Sequence, residues 1–177
     1  RSFLDKGVTK EQLRALFEAA RWAASCSNEQ PWRFVYAARE NTEAYQRILS
    51  VLVPKNQEWA AKAPVLLLIV AKKNFTYNNT PNRYDLHDCG AALAVLALQA
   101  ASMGLQAHGM AGYDADKART ALKIPHDFEP AAAVAIGYPG PPEMAPESYQ
   151  AAEKAPRTRK PLSELAHEGA FDGAPGL

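Results

Sequence analysis

The chain has 177 residues, a length that fits one domain with a sizeable core. Hydrophobic residues make up 47% and charged residues 22%, the balance of an ordinary globular protein. A net charge of +1 removes any bulk electrostatic case for nucleic acid or an anionic membrane, so a basic function must come from a local cluster.

Thr9 with Gln12 three residues on forms a capping box, and Leu13, Leu16, Phe17 and Ala20 follow at the spacing of one helix face. A helix is expected from there to about Ala24. "SCSNEQPWRF" (25–34) then crowds small polar residues and amides against a Pro-Trp step, and "WRFVYAA" reads as a strand. Thr42 is expected to cap a second helix with Tyr45, Ile48, Leu49 and Leu52 on its apolar face and Pro54 at its end. A short helical turn over 56–62 leads to "VLLLIVA" (65–71), a continuous apolar run that suits a strand buried on both faces. The polar segment "KKNFTYNNTPNRYD" is dense in asparagine and reads as a mobile or ligand-facing loop.

"LHDCGAALAVLALQAASMG" is apolar nearly all round, which predicts a buried helix, covered in part by a second subunit; Gly104 is its stop. Its uninterrupted part, Cys89 to Leu98, is too short to span a membrane. "LQAHGMAGY" is a strand running into a glycine-flanked turn, Asp114 caps the helix "ADKARTALKI", and "AAAVAIG" (131–137) is a last buried strand. "YPGPPEMAPES", with four prolines, is expected to be irregular and to lead into a polar tail carrying Arg157, Arg159 and Lys160. Strands and helices mix with long connections and without repeats, the pattern of one compact α+β or α/β layer fold over 1–177.

Glycine-rich phosphate loops and a Gly-x-Ser-x-Gly elbow are absent. Cys26 and Cys89 match no metal spacing and suit a reducing, cytosolic setting. Cys26 reads as a small residue filling a helix end, with a nucleophile as the alternative. His87 and Asp88 read as a helix-start cap, with a metal pair as the alternative. The basic tail is either a solvated surface or a phosphate clamp, and "HGMAGY" either a plain turn or a place where backbone approaches a flat ligand. Small amide-bearing residues, scattered arginines and a glycine-lined turn, with no evident catalytic acid, base or nucleophile and no metal site, fit a protein whose chemistry is done by a bound cofactor.

These stretches resemble the nitroreductase-like FMN-dependent oxidoreductases. "AARWAASCSNEQPWRFVYA" is similar to the family segment Ala-Pro-Ser-x-x-Asn-x-Gln-Pro-Trp, with Ala24 where proline is usual. "RSFLDKGVTKEQL" resembles the family's opening after its Arg-Arg-Ser phosphate motif, "DCGAALAVLALQAASMGL" its dimer-core helix, "HGMAGYD" its turn against the flavin, "AVAIGYPG" its last core strand and "RTRKPLSEL" its C-terminal phosphate segment. The resemblance implies an α+β nitroreductase-like fold, with a central, mainly antiparallel sheet flanked by helices, in an intertwined homodimer. FMN would lie between the subunits, with NADH or NADPH as co-substrate. Arg1, Arg157 and Arg159 would then hold the FMN phosphate. Ser25, Ser27 and Asn28, supplied by the partner subunit, would line the flavin and ribityl edge with Gln30 close by. Asn56 would meet the pyrimidine edge, and Gly109, Met110, Ala111 and Gly112 would pass along the ring with the Ala111 N–H near N5. Trp59 stands where some relatives carry a flavin-contacting lysine, and Ala111 where an acidic residue is usual. The implied activity is two-electron reduction of a nitroaromatic, quinone or similar small electron-poor acceptor in a cytoplasmic enzyme, without nucleic-acid or membrane partners. A related FMN enzyme (dehalogenase, flavin-destructive or enoate reductase) and a non-catalytic flavin-binding dimer are the alternatives.

Overall fold

A computed structural model describes residues 1–171 and 173. Four strands form one sheet in the order β1-β2-β4-β3, with all three pairings antiparallel: β1 is Trp32–Ala38, β2 Val65–Lys72, β3 Gln106–Met110 and β4 Phe128–Gly137. The helices are α1 Lys10–Arg21, α2 Thr42–Val51, α3 Pro54–Ala60, α4 Asp85–Ser102, α5 Ala115–Ala121 and α6 Glu147–Lys154. The fold is therefore α+β, as expected.

The alternation along β2 sets the layers. Leu66, Leu68 and Val70 point to one face, where Tyr45, Ile48 and Val51 of α2 and Trp59 of α3 cover them. Val65, Leu67, Ile69 and Ala71 point to the other, beneath Leu13 and Leu16 of α1 and Cys89, Ala92 and Leu96 of α4. Helices on both faces explain why an antiparallel strand carries an unbroken apolar run. Burial pushes the Cys89 thiol up to about 12, which keeps it an inert packing residue. The pairing of β2 with β4 slips between Ile69 and Val70, so Pro130, with no N–H to give, sits at the irregularity.

Thr9 caps α1 with the expected reciprocal bonds to Gln12, and Asp114 caps α5 by accepting from Lys117 N. Several boundaries differ. α1 stops at Arg21, three residues before Ala24. Asn41, not Thr42, caps α2, since its carboxamide oxygen takes the Ala44 N–H. α2 ends at Val51, and Pro54 opens α3 instead of closing α2, in the first-turn position where a missing N–H costs nothing. α5 ends at Ala121, closed by bonds from Lys123 N to Thr120 O and from Ile124 N to Arg119 O.

The proline-rich stretch is not wholly irregular as expected: it holds a helical turn over Pro142–Met144, and α6 begins inside it at Glu147, with Pro146 as its N-cap. α4 shows the most informative difference. Asp88, Cys89, Ala92, Leu96 and Ala100 are buried, but the opposite stripe is open: Leu86 is 51% and Leu98 72% exposed, with Gly90 and Ala94 exposed between them. A helix apolar on every side is thus buried on one side only in the single chain. Among the described residues, no helix is long and apolar enough to cross a membrane.

Candidate functional site

The chain leaving α1 turns sharply before β1. Ser27, Asn28 and Gln30 all hold left-handed backbone, with φ of 53°, 53° and 50°. Such a cluster of non-glycine residues persists only where neighbours over-determine it. Here Ser25 Oγ accepts from Gln30 N at 3.0 Å, and Gln30 Nε2 donates to Asn28 O and Oδ1 at 3.1 Å. The Glu29 carboxylate takes the N–H and hydroxyl of Thr76, tying the asparagine-rich loop to the turn. Asp88, 3% exposed at the start of α4, takes the Cys26 N–H at 2.9 Å. A cavity of about 350 Å³ opens beside this turn, lined by Ala24, Ser25, Cys26, Tyr84, His87 and Asp88.

The second group gathers at the end of β3. Gly112 O accepts from Val53 N and from Asn56 Nδ2, both at 3.0 Å, so Asn56 is a clamp on the glycine turn. A Cβ on Gly112 would come within 2.6 Å of Asn56 Nδ2 and 2.9 Å of Val53 Cγ2, so the close approach requires glycine. Gly109 and Ala111 are exposed and Met110 is buried, which leaves backbone as the outward surface. Among the described residues, neither the Ala111 nor the Gly112 N–H meets a backbone acceptor. Two free donors beside a glycine-lined surface are what an electron-rich heterocycle edge needs.

Arg1 lies over the Tyr149 ring, 5.1 Å from its centroid, and Arg1 Nη1 donates to Glu153 Oε1 at 3.0 Å. Both partners sit on α6. Arg157 and Arg159 are exposed beyond it, and Arg159 Nη1 donates to the neighbouring Thr158 carbonyl. Trp59 is a core residue, 1% exposed between Phe3 and His108. Among the described residues, no group of three or more His, Cys, Asp or Glu could hold a metal ion, and Cys26 and Cys89 are unbridged.

Burial pushes His108 down from 6.5 to about 4, and the positive charge of Arg1 adds to it. Between those values the unfolded chain binds a proton that the folded chain refuses. The contribution to stability is therefore whole above about 6.5 and is lost as pH falls towards 4. The melting temperature is expected to drop across that window, and His108→Phe, which keeps a ring on Trp59, should flatten the drop. An identical slope in the variant would assign the acid sensitivity to other groups.

The two groups lie on opposite edges of the sheet. Trp32 of β1 faces Ala71 of β2, which faces Glu129 of β4, while Met110 of β3 faces Ala133. Three strand steps separate the two edges, roughly 14 Å across the sheet at the usual spacing, with a further offset along the strands. Ser25, Ser27, Asn28 and Gln30 thus form one set, Asn56 and Gly109 to Gly112 another, and Arg1 a third beside α6. Glu29 and Glu153 were not singled out in the sequence, and Asp88, expected as a helix-start cap, makes no cap bond to α4 and instead takes the Cys26 N–H. Each is a carboxylate acting across 47, 152 or 62 residues, a separation that leaves little local signal.

The model of the Nitroreductase family matches residues 1–138. A solved structure described as an oxidoreductase containing FMN is 38% identical, with a TM-score of 0.90, covering 98% of this chain and 88% of its own. An uncharacterised 15.4 kDa protein from the ask 5′ region of Mycolicibacterium smegmatis is 34% identical over 121 residues, 68% of this chain and 80% of that protein. A Streptomyces coelicolor protein provisionally named NADH dehydrogenase/NAD(P)H nitroreductase is 29% identical, covering 98% of this chain and 87% of that one.

Proposed function

Because the chain belongs to the nitroreductase family, we propose that it is an FMN-dependent oxidoreductase that takes hydride from NADH or NADPH and delivers it to a small electron-poor acceptor, a nitroaromatic or a quinone. The observation that carries this reading is the pair of free N–H donors at Ala111 and Gly112, on a turn that Asn56 and Val53 hold in place. When bound, FMN supplies the two-electron chemistry, taking up hydride at N5 and giving it to the acceptor. The protein's share would be positional and electrostatic: N–H donors at Ala111 and Gly112 beside the ring would stabilise added electron density on it.

Gly109 to Gly112 would support the ring, Asn56 its pyrimidine side, and Arg1, Arg157 and Arg159 the phosphate. Ser25, Ser27, Asn28 and Gln30 would come from a second copy, since within one chain they stand on the far edge of the sheet. The open stripe of α4 and the exposed Leu162 and Leu165 of the tail give that second copy apolar surface to cover. With nicotinamide and acceptor using one site in turn, the kinetics would be ping-pong.

Anaerobic addition of NADH or NADPH to the flavin-loaded protein should bleach the flavin, and a nitroaromatic should restore it. Flavin that stays oxidised with both nicotinamides would overturn the reading. Arg157→Ala with Arg159→Ala should raise the Kd for FMN about tenfold to hundredfold, since charge-assisted bonds contribute roughly 1.5–3 kcal/mol each before solvent screening. The fold should be unchanged because both side chains are exposed. Unchanged affinity would return the pair to a solvated surface.

A further inference from the structure

Asp88 lies in the first turn of α4, where a carboxylate is favoured by the helix dipole without needing burial. Its side chain is nonetheless only 4% exposed, and a buried carboxylate is costly unless hydrogen-bonded. The two oxygens are both engaged: Oδ2 accepts the Cys26 N–H at 2.9 Å, and Oδ1 lies 3.0 Å from His87 Nδ1. Cys26 begins the three-residue helical turn that carries Ser27 and Asn28, and Cys26 O accepts from Glu29 N. One buried oxygen thus fixes the entry of a segment whose next residues stand in strained left-handed backbone.

We propose that Asp88 is a positioning residue for the cofactor edge: anchored on α4, its carboxylate holds the Cys26 N–H and, through it, the left-handed backbone of Ser27, Asn28 and Gln30. The same helix carries the open stripe Leu86, Gly90, Ala94 and Leu98 on its other side. Asp88 therefore couples the placement of α4 at a subunit seam to the shape of the turn presented there. His87, 78% exposed, caps the arrangement from the solvent side and is not required for it. The assignment of this turn to FMN rests on the function proposed above; its dependence on Asp88 does not.

Amide hydrogen exchange of the flavin-free protein separates the two. Asp88→Ala should speed exchange at Cys26, Asn28, Glu29 and Gln30 by about tenfold or more and leave β2 and β4 amides as they were. It should also raise the Kd for FMN about tenfold, the scale of one lost charged hydrogen bond. Asp88→Asn should restore both, because its carboxamide oxygen can accept the same N–H while its nitrogen donates to His87 Nδ1. His87→Ala should change neither. If Asp88→Ala does not fold, Asp88→Asn against Asp88→Leu poses the same question at similar volume. Unchanged exchange at the turn, or equal acceleration throughout the chain, would overturn the proposal. A wild-type protein that takes up no FMN would instead sink the functional reading and leave the exchange result standing.

Discussion

Ala94→Arg is expected to give a folded, monomeric, colourless protein. Residue 94 is exposed in the single chain, on the stripe that runs from Leu86 through Gly90 to Leu98, and a Cβ built on Gly90 meets nothing within 4 Å. An arginine there costs the isolated chain little. At a seam between two copies it places an unpaired guanidinium against apolar surface, a desolvation cost of several kcal/mol. It also forfeits the seam's gain, about 1.5–3 kcal/mol for each large apolar side chain such as Leu86 or Leu98 removed from water. Circular dichroism should be unchanged, sedimentation should report one chain, and flavin should be absent, because the proposed site draws on residues that one chain holds on opposite sheet edges. A variant that remains dimeric and yellow would place the seam elsewhere.

Gly112→Val is expected to damage both stability and cofactor binding, and Gly109→Ala to damage binding alone. At residue 112 a new Cβ would stand 2.6 Å from Asn56 Nδ2 and 2.9 Å from Val53 Cγ2. The turn must then move off α3, breaking both bonds to its carbonyl. Two hydrogen bonds at roughly 1 kcal/mol each, with the smaller part of the usual overpacking cost because Asn56 is a side-chain end that can give way, amount to about 3–4 kcal/mol. For a chain of this size that lowers Tm by roughly 6–16 °C. At residue 109 a Cβ would lie 3.4 Å from Leu93 Cδ2, and the residue is exposed. Thermal stability should hold there while a methyl group obstructs the flat ligand, weakening FMN by about tenfold or more. Equal effects of the two variants on Tm and Kd would contradict the assignment of Gly112 to the clamp and Gly109 to the ligand face.

The regular elements were legible where local chemistry decides them. Thr9 with Gln12, Asp114 before α5 and the apolar run of β2 each act within a few residues, and each stands as read. The α4 stripe was half legible: its composition demanded burial, but which side the chain covers depends on where α1 and the sheet lie. α6 was hidden by the prolines before it and by a weak apolar pattern of its own. The candidate site divides in the same way. Gly112 announces a close approach by residue type alone. Nothing in a serine or a glutamine forecasts the left-handed backbone of Ser27 and Gln30, in a turn that Asp88 and Thr76 contact from far along the chain and Arg33 from three residues on.

The claim on which the rest depends is that two copies of the chain build each FMN site. Sedimentation velocity of the FMN-loaded protein, followed at the flavin band through serial dilution, tests it most directly. Flavin should sediment only with the dimer, at one per chain, and be released as the dimer dissociates. Flavin travelling with the monomer at undiminished affinity would contradict it.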